Sequence, residues 1–94
     1  MTLAEFKITL ANNTVSDNLS LYLQALWYDA KGDWEKAHSL IQDIPDKTAA
    51  WVHAYLHRRE GDIWNADYWY TKASKKRPSM PLDQEWEEIV SSLL

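Results

Sequence analysis

Cysteine is absent from this 94-residue chain, which excludes a disulfide staple and any thiolate-built metal or redox site. Glycine (two) and proline (three) are too scarce for a loop-rich or disordered chain. No apolar run approaches the roughly 20 residues needed to cross a bilayer. The opening MTLAEFKITL lacks the basic start and long apolar centre of a secretory leader. There is also no phosphate-cradling glycine loop, dinucleotide turn, Cys nucleophile or Gly-x-Ser-x-Gly elbow. These absences predict a single cytoplasmic domain over residues 1–94 that is not an enzyme, with no cofactor, no metal and no membrane partner.

What the chain has instead is aromatic surface. Six Trp, five Tyr and one Phe make up 13% of the residues, and each can bury roughly 150–250 Å². That substitutes for the staple that small domains often need. The net charge of −4 is uneven. Residues 1–50 carry four basic and seven acidic side chains, 51–77 six and three, and 78–94 none and four, a −3, +3, −4 pattern. A mildly basic centre between acidic ends disfavours nucleic acid as a partner and allows self-complementary contact.

Helical periodicity runs through the whole chain. Thr2 and Glu5 have capping-box spacing ahead of a first helix over 2–11, and Asn12 to Asp17 are turn-forming. From Asn18 to Lys31 apolar residues occupy two faces, as expected of a helix covered on both sides. Gly32 can close that helix and Asp33 can cap the next, 34–44, which has one apolar stripe and a wet side that includes His38. Pro45 stops it. A fourth helix runs from the Asp46 cap to Glu60. After Gly61-Asp62 a fifth, 63–75, places Ile63, Ala66, Trp69, Tyr70 and Ala73 on one face, with Trp64 and Tyr68 on the other. The last, 82–94, carries Trp86, Ile89, Val90 and Leu93 on a stripe, with Glu85, Glu87 and Glu88 near its N-terminal end, where the helix dipole favours them.

One pattern repeats. Ala25, Tyr28, Gly32-Asp33-Trp34 and Ala37 recur as Ala54, His57, Gly61-Asp62-Ile63 and Ala66, an offset of 29 residues. Small residues let helices approach, glycine makes the turn and aspartate caps. In order and spacing these residues resemble tetratricopeptide repeats, and Pro78 stands where that family often has proline. The stretch GDIWNADYWYTKAS is similar to the related Sel1-like repeats, and Trp51 to Tyr70 resembles a segment of other short proteins, which brings no function with it. The offset is shorter than the family's usual period, and His57 replaces the expected aromatic. The resemblance implies an all-α fold of two tetratricopeptide-like antiparallel helical hairpins, flanked by an N-terminal helix and a C-terminal capping helix. It also implies a non-catalytic interaction module that binds a protein or peptide, or a second copy of itself as a homodimer.

Two groups of side chains remain to be explained. Trp64 and Tyr68, four residues apart, form an apolar patch suited to a partner, and Arg58 and Arg59 are assigned to the same role. His53, His57 and Glu60 share a stripe at i, i+4 and i+7. Its first reading is structural hydrogen bonding. The alternative is a small-ligand or metal site, with catalysis conceivable, although Ala54 stands where a zinc-protease motif needs Glu. No third histidine is close in sequence, since His38 lies on the preceding helix. Lys75-Lys76-Arg77 read as a charged helix end rather than a nucleic-acid patch.

Overall fold

Five of the six helices begin at a capping side chain, and the last follows Pro81 without one. The computed structural model describes residues 1–94 as α1 (Leu3–Ala11), α2 (Leu21–Ala30), α3 (Trp34–Ile41), α4 (Lys47–Arg59), α5 (Ile63–Lys72) and α6 (Leu82–Leu93), with no strand. Thr2 and Glu5 close a capping box on α1. Asp33, Asp46 and Asp62 each accept a hydrogen bond from the backbone N–H three residues on, which satisfies a donor that the first turn leaves free. Ser20 does the same for α2, so that helix begins at Leu21 rather than Asn18, and residues 17–19 form a turn.

The C-terminal ends share one device. Gly32 (φ +84°) and Gly61 (φ +86°) adopt the left-handed conformation. Each lets the next residue donate back to the helix, Asp33 N–H to the Tyr28 carbonyl and Asp62 N–H to the His57 carbonyl, both at 2.9 Å. Asn13 and Ser74 make the same left-handed turn after α1 and α5 without glycine. Ser74 therefore ends α5 at Lys72, short of the expected residue 75. Helix α3 also ends early, at Ile41, because Pro45 bars Ile44 from helical geometry and the residues between them form a turn.

The closest packing joins α2 to α3 and α4 to α5. On these helices Ala25, Ala37, Ala54 and Ala66 are all fully buried, and their small size suits a close approach. Helix α4 also touches α2 and α3, while α6 lies on α1, α2 and α4. Leu23, Leu26, Val52, Leu56, Ile89 and Val90 fill the main core between these elements, with Phe6 tilted against Trp86. Three indoles tie separate elements together through hydrogen bonds, the Trp86 bond buried and the other two part-buried. Trp27 donates to the Thr9 hydroxyl, Trp34 to the Leu56 carbonyl and Trp86 to the Leu26 carbonyl. The radius of gyration, 12.3 Å, equals that of a folded chain of this length, about 12.4 Å. No helix is long and apolar enough to cross a membrane.

Candidate functional site

Helix α4 carries polar side chains into the interior on two sides. On the first, His53 and His57, one turn apart and both buried, meet His38 from α3. These are the only histidines in the chain. His38 Nε2 and His53 Nε2 are 2.9 Å apart, and one coordinating atom from each of the three rings lies within 4.8 Å of the others. Glu60 accepts from His57 Nδ1 at 2.8 Å, which leaves Nε2 as that ring's free nitrogen. Tryptophans wall the cluster: Trp34 stacks on His38 with centroids 4.8 Å apart, and Trp69 stacks on His53 at 3.9 Å. The sequence stripe of His53, His57 and Glu60 is thus brought together, with His38 added.

Burial decides the charge of this cluster. Loss of hydration pushes the His53 imidazole down to about 3, with smaller contributions from His38 and His57. His38 is lowered for the same first reason and then by His57, against the pull of Glu60, Glu35 and Asp43. Both rings are therefore neutral at neutral pH and hold a nitrogen lone pair. Between two neutral Nε2 atoms only one can donate, so a single proton serves that contact.

The second polar group is closed. Glu85 of α6 is 1% exposed and accepts from the Tyr70 hydroxyl at 2.7 Å, Arg58 Nη1 at 2.8 Å and Trp51 Nε1 at 3.4 Å. Arg58 also donates to the Met80 carbonyl. Burial, then the bond to Glu85, raises the Tyr70 phenol above its ordinary range. A first-turn position suggests a solvated carboxylate for Glu85; instead Arg58 and Tyr70 compensate its desolvation. Asp29 is the other buried carboxylate. Its Oδ1 pairs with Arg59 Nε at 3.2 Å, its Oδ2 has no partner, and burial raises it, partly offset by Arg59 and Tyr55.

The remaining assigned residues lie outside. Trp64 is 87% and Tyr68 51% exposed on α5, away from the face whose Tyr70 reaches Glu85 of α6. Lys72 sits over the Tyr68 ring at 5.2 Å, and Tyr68 meets Trp69 edge-on at 5.3 Å, so the exposed patch is continuous with the wall of the histidine cluster. Of the two arginines given to the same surface, Arg59 keeps its guanidinium partly open while Arg58 turns inward to Glu85. In the basic run, Lys75 covers the Trp51 ring at 4.0 Å and Arg77 pairs with Asp67 at 2.8 Å.

Three contributors escaped the sequence reading: His38, Asp29 and Glu85. For His38 a signal existed, since Trp34 four residues earlier places a ring over it. Comparison with known protein families, curated proteins and solved structures finds no match to this chain.

Proposed function

We propose that this chain is a non-catalytic interaction module built on two tetratricopeptide-like helical hairpins, and that it binds a protein or peptide through the outer face of α5. The observation that carries this reading is Trp64, a ring 87% exposed with Tyr68 one turn further along. Aromatic side chains of this kind dominate the energetics of protein interfaces, and a small domain would bury them if packing were their only use. The repeated glycine turns and the buried alanine pairs support the repeat architecture. Helix α6 already occupies faces of α2 and α4, so α5 is the freer surface. Arg59, half-exposed, keeps its side chain paired with Asp29. A reducing, cytoplasmic setting fits the cysteine-free composition.

The test pairs capture with self-association. Wild type and a Trp64→Ala/Tyr68→Ala double variant are compared in affinity capture from the native cell, and both are followed by light scattering over a wide concentration range. Selective loss of one partner, or of concentration-dependent dimerisation, from a variant with an unchanged unfolding midpoint supports the reading. Equal capture together with equal oligomeric state rejects the α5 surface.

A further inference from the structure

We propose that His38, His53 and His57 form a site for one borderline divalent transition-metal ion of the Zn²⁺ class, with Glu60 as the hydrogen-bonding partner that orients His57. Every histidine of the chain contributes, from two helices, and the coordinating atoms already lie within 4.8 Å of one another. A hydrogen-bonded core needs no such convergence. Two imidazole nitrogens 2.9 Å apart can share only one proton. An ion held at about 2.0–2.1 Å by each nitrogen in tetrahedral geometry would set them about 3.3 Å apart and use both lone pairs. That asks the His38–His53 contact to open by a few tenths of an ångström and the His57 ring to close in.

The surroundings suit this use. Glu60 takes Nδ1 of His57, which fixes the tautomer that presents Nε2, the carboxylate–histidine arrangement that commonly backs a ligating ring. Trp34 and Trp69, stacked on His38 and His53, limit the rotation of those rings. An all-imidazole donor set selects zinc, cobalt, nickel or copper over magnesium and calcium, which prefer oxygen. Three histidines leave a fourth position for water. Access lies on the His38 side, the one ring of the three that is not buried. A competing set, His57 with Glu60 and Asp62, also lies within coordinating reach at the exposed edge, and it does not use His38.

The full chain, stripped with a chelator, is titrated with Zn²⁺ by calorimetry and with Co²⁺ by visible absorption. One ion per chain and the strong absorption of four-coordinate Co²⁺ are expected. Zn²⁺ should also move the ring ¹⁵N resonances of all three histidines. His38→Gln, checked for native circular dichroism, should weaken Zn²⁺ binding at least tenfold. Glu60→Gln should weaken it roughly tenfold while keeping the Co²⁺ spectrum, as loss of an orienting partner does. No stoichiometric binding to the wild type overturns the proposal, as does affinity that falls less than tenfold in folded His38→Gln. Should that variant not fold, the wild-type ¹⁵N shifts decide: movement of all three rings supports the site, and an unmoved His38 ring overturns it.

Discussion

Ala25, Gly32, Asp33 and Ala37 are matched 29 residues later by Ala54, Gly61, Asp62 and Ala66, and the structure gives both sets fully buried alanines, a left-handed glycine and an aspartate cap. Positions between them differ. Gln24, Tyr28, Lys31, Glu35 and Ser39 of the first unit become His53, His57, Glu60, Trp64 and Tyr68 of the second. What the turn and the helix contact require is present twice; the residues that carry the candidate sites occur once. A junction that recurs within a single chain thus separates the demands of folding from what has been added to it. An inward-turned charged residue occupies the same position in both units with opposite sign, Asp29, buried, in the first and Arg58, half-buried, in the second.

The largest break should come at that position. Glu85→Ala would leave Arg58 and the Tyr70 hydroxyl without their buried acceptor. Removing one partner of a buried pair costs about 3–5 kcal/mol. Urea denaturation measures it, and a cost below about 1 kcal/mol, the scale of a surface pair, would show that the second unit does not depend on Glu85 to hold α6.

Next in size is a pH effect centred on His53 of the second unit. His53 titrates near 3 in the fold, against 6.5 for a free histidine. Between those values the unfolded chain binds more protons, so the stability is full above pH 6.5 and is lost as pH falls toward 3. At about 1.4 kcal/mol per unit, chelator-treated protein should be about 2 kcal/mol less stable at pH 5 than at neutral pH, with His38 acting in the same direction. His53→Gln copies Gln24 of the first unit and should flatten the dependence. Equal slopes for wild type and variant would mean that His53 is not held neutral by burial.

The shared part of the comparison predicts equality. A Cβ added at Gly32 or Gly61 would meet nothing within 4 Å, so only the positive φ resists alanine. Each substitution should cost about 1–2 kcal/mol, the two should agree, and the double variant should sum them within about 0.5 kcal/mol. Thermal unfolding of the three variants checks this. A twofold difference between the single variants would break the equivalence of the junctions.

Capping residues and turn glycines made the first five helices legible because those signals are local, and α6 was legible from its apolar stripe after Pro81. Helix ends were less so. Ser74 takes up a left-handed turn with no glycine to announce it, and Pro45 acts on α3 several residues upstream. Among site residues, Trp64 and Tyr68 could be placed opposite the main stripe of α5 from periodicity alone, and both are exposed. His38 and Glu85 could not be placed that way. Periodicity tells which residues share a face of one helix, not which neighbour covers the edge of that face. His38 falls on the polar side of α3 yet lies under Trp34 and against α4. Glu85 looks like a dipole-stabilising carboxylate until α6 docks it beside Arg58 and Tyr70, which are 27 and 15 residues away in the chain.

The smallest effect on stability should come from the most conspicuous side chain. Trp64→Glu places in the second unit the residue that the first unit has at the matching position, Glu35. Trp64 is 87% exposed, so the fold loses little packing, and the change in unfolding free energy should stay within about 0.5 kcal/mol. Partner capture or self-association through α5 should nevertheless fall sharply, because the charge would be buried at the centre of the contact. A stability loss above 1 kcal/mol, about the cost of a typical destabilising mutation, would show that Trp64 packs against its own chain. Unchanged stability with unchanged association would leave the ring without the role its exposure suggests. Only unchanged stability with lost association gives the second unit a use that the first lacks.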